Sequence, residues 1–252
     1  MDIGLGVKVG NMQMSKIKIL ETISETPYSR VSYCYLNDVK AVLKTKKEAI
    51  ITNSIATELE IHQFLKKYDL CPEILDYDLL NNRIVYEYIE YPVENSEYNQ
   101  VFLKIFGETL SKLHSLDYKN LAIDTFEEKI ESYRNMLSTS ATIEIQESFA
   151  LFDKLYKKPY KLAFCHNDLN KMNIFLDKNM KFIDWEYTGL NQPIYEIASI
   201  KKSFNLSSDQ LDIFLKAYGQ DFNPNEIEEF EVLVGFIEKI WQKVTNKLKT
   251  HR

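Results

Sequence analysis

Hydrophobic and polar positions divide the chain near residue 90 into a strand-rich part and a helix-rich part. In the first part, "VSYCYL" (31–36) and "KAVLKT" (40–45) are rich in β-branched and aromatic residues and flank a turn-forming "NDV". The segment 73–90 contains two further strand patterns around "NN". The amphipathic segment 52–68 predicts one helix that ends before Pro72. The pattern predicts a small antiparallel sheet with one helix over residues 1–90.

Residues 91–252 show helical periodicity instead. Apolar residues form one stripe along "QVFLKIFGETLSKLHSL", which predicts a helix over 100–116. The other predicted helices cover 125–137 with Thr125 as the cap, 143–158, 207–219, and a long segment from about Pro224 to the end of the chain. We therefore predict an α+β fold with two lobes, an N-terminal nucleotide-binding lobe over 1–90 and a helical C-terminal lobe over 91–252.

Two short motifs interrupt the helical part with polar residues at fixed offsets. They are "FCHNDLNKMNIF" (164–175) and "FIDWEY" (182–187). Carboxylate and amide oxygens are the ligands that a hard cation such as Mg²⁺ prefers. The spacing D-x-x-x-x-N followed by a later Asp is typical of phosphoryl transfer in protein kinases. Asp168 is then the candidate catalytic base, and Asn173 and Asp184 are the candidate Mg²⁺ ligands.

The kinase pattern also requires a strand lysine that neutralises nucleotide phosphates and a helix glutamate that holds this lysine. Lys44, at the end of a predicted strand, and Glu58, on the predicted helix, occur in the required order. Glu60 is an alternative to Glu58. The joint order of these residues with the two motifs predicts ATP as the cofactor.

Composition narrows the possible partners and location. The net charge is −6 and the basic residues are scattered, which excludes a typical nucleic-acid-binding surface and suits a cationic small-molecule substrate. Three cysteines without metal-binding or disulfide spacing favour reduced thiols. Apolar runs are too short to span a bilayer, and the N-terminus lacks a signal-peptide pattern, so we expect a cytoplasmic protein without membrane insertion.

The motif "CHNDLNKMNIF" together with "FIDWEYTGLNQPIYEIASI" (182–200) resembles the choline/ethanolamine kinases, within the wider group of aminoglycoside phosphotransferase-like kinases. In sequence, the two motifs are most similar to those of the bacterial choline kinase branch. The resemblance implies a protein-kinase-like two-lobe fold, with Asp168 as the base and Asn173 and Asp184 on Mg²⁺. It also implies that Lys44 binds phosphate and that Glu58 is its partner.

The resemblance further implies a hinge at "YEYIE" (86–90), where the backbone of Glu87, Tyr88 and Ile89 would meet adenine. The family's phosphate loop carries glycine, but the matching stretch "SETPYSRVSYCY" (24–35) has none. Ser29, Arg30 and Ser32 would therefore have to supply amides and hydroxyls to the phosphates.

The acceptor site is the part of the family pattern that this sequence follows least. Choline kinases hold a quaternary ammonium with an acidic residue and several aromatic side chains. Here Lys201 and Lys202 follow the second motif, and Trp241 has few aromatic neighbours in sequence. Glu186, Glu196 and Trp241 are the candidate substrate residues.

The predicted function is an ATP-dependent kinase that transfers the γ-phosphoryl group to the hydroxyl of a small amine-bearing metabolite, with choline as the first candidate. One alternative is an aminoglycoside, amino-alcohol or sugar phosphotransferase of the same fold. A second is a nucleotide-binding pseudokinase, and a third is a metal-dependent hydrolase that uses His166, Asp168, Asp184 and Glu186. We interpret His166 as a loop support, and Trp185 and Tyr187 as core residues.

Overall fold

The computed structural model describes residues 16–26, 28–47, 52–90, 92–93, 98–158 and 160–250. Within these residues the chain forms two compact units. The first holds residues up to 47 together with 73–88, and the second holds 52–72 and the residues from 89 onward. The helix predicted over 52–68 thus belongs to the second unit. The predicted lobe limits at residues 90 and 91, which follow chain order, stay a prediction.

The first unit is a five-stranded antiparallel sheet in the order β1-β2-β3-β5-β4. Its core contains buried side chains from β2, β3 and β5, namely Cys34, Leu36, Ala41, Leu43 and Val85. The strands are β1 (Ile17–Glu25), β2 (Ser29–Leu36), β3 (Val39–Lys46), β4 (Ile74–Asp78) and β5 (Arg83–Glu87). The two predicted hairpins are confirmed, whereas β1 is an edge strand that the sequence analysis did not identify.

The turn between β2 and β3 shows why the sequence predicted this hairpin. Asn37 and Asp38 both have positive φ, 47° and 68°. Two-residue hairpin turns of type I′ require positive φ at both central positions, and Asn and Asp tolerate it better than other non-glycine residues.

The second unit contains the helices of the described chain. The predicted cap at Thr125 is confirmed, since Thr125 and Glu128 form a capping box, and Gly219 ends another helix in the left-handed region. The helices are α1 (Ile55–Lys66), α2 (Gln100–His114), α3 (Phe126–Leu137), α4 (Ile143–Tyr156), α5 (Pro193–Phe204), α6 (Ser208–Tyr218) and α7 (Pro224–Thr250). Among the helices of the described residues, none combines the length and the apolarity that a membrane span requires.

Helix α5 was not predicted. Most of its residues are buried, including Ile194, Ile197 and Ile200 on successive turns and Tyr195 and Ala198 between them. A helix that is buried nearly all round lacks the polar stripe that reveals helical periodicity. Its Pro at the first turn is the remaining local signal.

Two small antiparallel ladders hold the motif residues inside the second unit. Strand β6 (Ala163–Cys165) pairs with β9 (Gly189–Asn191), and β7 (Ile174–Leu176) pairs with β8 (Met180–Phe182). Large, fully buried aromatic side chains surround these ladders, and Trp185 is one of them, as predicted. The three cysteines are buried and form no disulfide with one another, and the expectation of reduced thiols stays a prediction.

Candidate active site

The loop that follows β6 presents Asp168 in a fixed orientation. The Asn173 side-chain amide donates to the Asp168 carbonyl oxygen at 2.9 Å and to its Oδ2 at 3.1 Å. The Asn170 amide lies 3.4 Å from Oδ1 of the same carboxylate. A short 3-10 helix at Lys171–Asn173 spaces these residues. The five-residue separation of Asp168 and Asn173 therefore brings amide and carboxylate into direct contact.

The β7–β8 hairpin returns the chain to this loop. Ile174 pairs with Phe182, and the Ile183 N–H donates to the Asn173 carbonyl oxygen at 3.0 Å. Asp184 follows directly in the left-handed conformation, with φ 65° and ψ 57°. Residues 173 and 184, which are eleven positions apart in sequence, are thus brought to adjacent backbone positions.

The electrostatics of the site fit a divalent cation. Burial and the nearby charges of Asp184 and Glu186 raise the pKa of Asp168 to about 7, against an opposing effect of the amide bonds from Asn170 and Asn173. Both amide hydrogens of Asn173 are directed to Asp168, so these bonds leave its Oδ1 unused. A partly buried group of carboxylates with an amide oxygen is the ligand set that suits Mg²⁺.

His166 supports the loop, since both of its ring nitrogens bond to backbone groups. Its ring is fully buried, Nε2 donates to the Ile183 carbonyl oxygen at 2.8 Å, and Nδ1 accepts from the Asp168 N–H at 3.3 Å. These partners assign the neutral tautomer with the proton on Nε2. The result agrees with the loop-support interpretation, and it argues against a hydrolase in which His166 binds a metal.

Glu196, on α5, holds the same loop from its buried side. Its fully buried carboxylate accepts from the Asn167 N–H at 2.6 Å, the His166 N–H at 3.3 Å and His114 Nε2 at 2.7 Å. Charge-assisted bonds of this kind are stronger than neutral ones. The contacts support a positioning role for Glu196, and its assignment to the substrate stays a prediction.

His114, Cys165 and Glu196 also have the composition of a metal site, with ligand atoms within 4.8 Å of one another. Their atoms are already engaged, however. His114 Nδ1 lies 2.9 Å from the Tyr218 hydroxyl, and burial raises the pKa of the Cys165 thiol well above its ordinary value. Because a metal would need the thiolate and the Glu196 oxygens that hold the loop, we interpret this cluster as structural.

A second buried chain of bonds fixes Asn167, whose φ is 65°. The Asn191 amide donates to Asn167 Oδ1 at 2.8 Å, and Asn191 Oδ1 accepts from the Tyr156 hydroxyl at 2.6 Å. Burial raises the pKa of Tyr156 well above its ordinary value, so the phenol remains a donor. The sequence analysis missed these residues, because polar residues in a motif do not reveal which distant side chain they meet.

Tyr187 and Trp241 form an aromatic pair beside the motif. Trp241 Nε1 donates to the Tyr187 hydroxyl at 3.0 Å, and the Lys129 ammonium lies 5.6 Å from the Tyr187 ring centroid. Both aromatic residues are half-buried. The interpretation of Tyr187 as a core residue is therefore wrong. The fold places Tyr187 beside Trp241, which has few aromatic neighbours in sequence. The assignments of Trp241 and Glu186 to the substrate stay predictions.

The predicted nucleotide residues lie in both units. Lys44 is buried in β3, opposite Val31 of β2 and Ile84 of β5. Glu58 is fully buried on α1, whereas Glu60 is exposed, which favours Glu58 over its alternative. The pairing of Lys44 with Glu58 stays a prediction. The division between the units falls between Tyr88 and Ile89, within the predicted hinge.

Hydrogen bonds to the Thr26 side chain hold the part of the glycine-free stretch that connects β1 and β2. The Thr26 hydroxyl accepts from the N–H groups of Tyr28 at 3.2 Å and Ser29 at 3.0 Å. The Ser29 and Ser32 hydroxyls lie 3.3 Å and 3.5 Å from the hydroxyls of Thr26 and Thr22. The two serines are thus bonded inside the sheet, and their contact with phosphates stays a prediction.

Comparison with known proteins gives relatives of consistent character. A "Protein LicA homolog" of Mycoplasma capricolum is 26% identical over 183 residues, which span 71% of this chain and 74% of that protein. "Ethanolamine kinase 2" of Rattus norvegicus is 23% identical over 233 residues, covering 77% of this chain and 60% of that protein. The resemblance to choline and ethanolamine kinases is confirmed.

Solved structures identify the fold. The choline kinase LicA from Streptococcus pneumoniae matches with a TM-score of 0.74 at 19% identity, covering 93% of this chain and 86% of that chain. A structure of LicA in complex with AMP matches with a TM-score of 0.73 at 19% identity, covering 94% and 86%. The predicted protein-kinase-like fold, with its antiparallel sheet and helical part, is confirmed.

Residues 30–230 match the model of a family described as "Phosphotransferase enzyme family". This range contains both motifs, the predicted lysine and glutamate, and the Asp168 loop with its supports. The chain therefore belongs to the phosphotransferase enzyme family, and the prediction that it is a phosphotransferase is confirmed.

Proposed function

We propose that this protein is an ATP-dependent kinase that transfers the γ-phosphoryl group to the hydroxyl of a small amine-bearing alcohol. The observation that carries the proposal is the Asp168 carboxylate, held by Asn173 within a partly buried group of acidic residues that includes Asp184. Phosphoryl transfer relies mainly on positioning and on compensation of charge. A rigid carboxylate beside a cation-binding group supplies both.

Asp168 would act as the catalytic base. Its carboxylate would accept a hydrogen bond from the acceptor hydroxyl, orient the oxygen toward the γ-phosphate and take the proton during transfer. The bonds from Asn173 and Asn170 hold the carboxylate in one orientation. His166 and Glu196 fix the backbone on the preceding side, so the base is positioned before any substrate binds.

Asn173 Oδ1 and the Asp184 carboxylate would hold Mg²⁺, and Glu186 adds negative charge nearby. The ion supplies compensation for the charge of the nucleotide phosphates. Asp184 lies two positions after the end of β8 and has the αL conformation. This backbone conformation sets the direction in which its side chain leaves the chain.

Lys44 would neutralise the nucleotide phosphates, and Glu58 would hold Lys44. Backbone groups of Glu87, Tyr88 and Ile89 would bind adenine, and Ser29 and Ser32 would lie near the phosphates. The similarity to a LicA structure that contains AMP supports nucleotide use. ATP as the phosphoryl donor follows from the family chemistry.

Choline is the first candidate acceptor, since a similar structure is named a choline kinase and relatives are named ethanolamine kinases. Glu186, Tyr187 and Trp241 would hold its cationic group by charge and cation–π attraction. Ethanolamine is the second candidate, and an aminoglycoside or another amino alcohol is the alternative. The proposal also includes a cytoplasmic location for the protein and a small-molecule substrate, with no nucleic-acid partner.

The test is phosphoryl transfer by the purified protein with Mg-ATP. ADP release and phosphorus NMR of the product are measured with choline, ethanolamine and an aminoglycoside as acceptors. We expect transfer to choline, and Asp168→Asn should lower kcat by about 10²- to 10⁴-fold while nucleotide binding is kept. Asp177→Asn, in the exposed β7–β8 turn, is the matched control and should retain activity.

Three results would contradict parts of this proposal. Transfer to the aminoglycoside alone would show that the acceptor is an aminoglycoside and not choline. ATP binding without transfer to any acceptor would favour a nucleotide-binding pseudokinase, for which the glycine-free phosphate loop is the motivating feature. Equal activity of Asp168→Asn and the wild type would remove Asp168 from the mechanism.

A further inference from the structure

Asn53 lies directly before helix α1 and joins it to the segment that follows Asp184. Its side-chain Nδ2 donates to the carbonyl oxygens of Trp185 at 3.3 Å and Thr188 at 3.0 Å. Its backbone N–H donates to the Glu186 carbonyl oxygen at 2.8 Å. One residue thus contributes three hydrogen bonds to a four-residue segment that lies more than 130 positions away in sequence.

These bonds stabilise the segment that follows Asp184, a residue with an unfavourable backbone conformation. Asp184 has the left-handed φ of 65°, which non-glycine residues adopt only when the surrounding structure holds them there. The Thr188 N–H closes the segment on itself by donating to the Trp185 carbonyl oxygen at 3.3 Å. Asn53 binds that same carbonyl, so it braces the turn that keeps Asp184 in place.

The other end of the connection is helix α1. Ser54 is its N-cap and accepts from the Thr57 N–H at 3.1 Å, and Glu58 lies one turn into the helix. Helix α1 packs against the short 3-10 helix at Trp185–Tyr187, which contains two of the three residues whose carbonyl oxygens Asn53 binds. Asn53 therefore sits where the Glu58-bearing helix and the Asp184 segment meet.

We propose that Asn53 is a positioning residue that sets the Asp184 metal ligand and the Glu58 helix in one arrangement. The proposal rests on the proposed function, which assigns Mg²⁺ to Asp184. A side-chain amide meets this geometry without adding charge, because it offers two N–H groups from one nitrogen. A carboxylate at this position would face two carbonyl oxygens with no hydrogen to share.

The functional test compares Asn53→Leu, which removes the donors at similar size, with the wild type. The Mg²⁺ concentration that half-saturates phosphoryl transfer should rise by about 10- to 100-fold, the usual effect of losing an outer-shell support of a metal ligand. The KM for choline should change less than the Mg²⁺ requirement, since Asn53 bonds to backbone carbonyl oxygens of this segment and not to the side chains that would hold choline. Ser54→Ala is the matched control, because it weakens the same helix end without removing a bond to the loop.

Two measurements do not depend on turnover. Hydrogen exchange of the amides of residues 185–188, in the protein without nucleotide, should be faster in Asn53→Leu than in the wild type and unaltered in Ser54→Ala. Binding of Mn²⁺-ADP, followed by electron paramagnetic resonance, should weaken in Asn53→Leu alone. Asn53→Asp should show both effects at least as strongly.

The outcomes separate this proposal from the proposed function. A wild type that transfers no phosphate but binds Mn²⁺-ADP in an Asn53-dependent way would contradict the kinase function and keep the positioning role. Unchanged exchange and unchanged Mn²⁺-ADP affinity in Asn53→Leu would overturn the positioning role, whatever the activity. Equal effects of Asn53→Leu and Ser54→Ala would also overturn it, since they would reduce Asn53 to a helix-end residue.

Discussion

Two segments that the kinase pattern assigns to the substrates are held in different ways. The Asp168 loop is bonded on its buried side to Glu196 and Asn191, and Glu196 is bonded in turn to His114, so three other elements hold the loop. The turn between β1 and β2 is held locally, by the Thr26 hydroxyl and by exposed ion pairs of Glu25 with Arg30 at 2.8 Å and Lys47 at 2.6 Å. The Asp168 carboxylate is rigidly positioned, whereas the β1–β2 turn depends on contacts that solvent can replace.

The physical reason is the cost of losing one partner. Removal of one group from a buried, charged network leaves the others without water or a replacement, so each member depends on all the rest. Exposed ion pairs are weak, since solvent and salt screen them and free charges are hydrated. The comparison predicts large effects of substitutions under the Asp168 loop and small effects at the β1–β2 turn.

The largest effect is expected from Glu196→Ala. The substitution leaves the buried N–H groups of His166 and Asn167 and the His114 ring without their acceptor. Loss of one side of a buried pair costs about 3–5 kcal/mol, so we expect a much lower free energy of unfolding, measured by denaturant titration. Glu228→Ala, at an exposed position of α7, is the control and should change stability little.

Glu196→Gln keeps the size of the side chain and separates stability from catalysis. Where this variant folds, we expect kcat to fall more than the KM for ATP changes, because the loop that carries Asp168 loses its charged anchor. Normal kcat in a folded Glu196→Gln variant would contradict the positioning role of this residue.

An intermediate effect is expected from Asn191→Ala. The change removes the donor to Asn167 Oδ1 and leaves the buried Tyr156 hydroxyl without its acceptor. An unsatisfied buried polar group costs about 1–3 kcal/mol. Combination with Tyr156→Phe tests the network, since the double variant should be less destabilised than the sum of the two single variants. Strict additivity in the measured free energies of unfolding would contradict it.

The smallest effect is expected from Glu25→Gln at the β1–β2 turn. Hydrogen bonds from Arg30 and Lys47 lower the pKa of Glu25 from its ordinary value of 4.5 to about 2. Since the folded pKa is the lower one, the stabilisation is present above pH 4.5 and is lost as the pH falls toward 2. The melting temperatures of wild type and Glu25→Gln should differ slightly at pH 7 and low salt, and they should converge at pH 2.

High salt should remove the same small difference at pH 7. A difference that persists in 1 M salt, or kcat lowered as strongly as in the variants of the Asp168 loop, would show that the turn is as tightly determined as the loop. The comparison between the two segments would then fail.

Much of the fold could be predicted from local pattern. The β2–β3 and β4–β5 hairpins and helices α2, α3, α4, α6 and α7 have amphipathic periodicity or turn residues that act within a few positions. The edge strand β1 was missed, because its side chains are almost all exposed and show no inward-facing alternation. Helix α5 was missed for the opposite reason, since it is buried nearly all round.

The candidate site divides in the same way. Asp168, Asn173 and Asp184 could be proposed because the 3-10 turn and the β7–β8 hairpin that join them are short and local. The supports could not be proposed. Glu196 was assigned to the substrate, and its bond to His114 joins residues 82 positions apart. Asn53 carried no sequence signal, because its partners are backbone carbonyls that any residue would provide.

By itself, the sequence determined the α+β organisation, because this follows from local periodicity. The resemblance of its two motifs to the choline/ethanolamine kinases gave the phosphotransferase family, and short local spacings gave the order of the candidate site residues. Only the tertiary structure decided what holds those residues in place. It made a buried glutamate into the anchor of the Asp168 loop and joined Asn53 to the segment after Asp184. Such contacts depend on packing between distant elements, where burial removes water and leaves each polar group dependent on one particular partner.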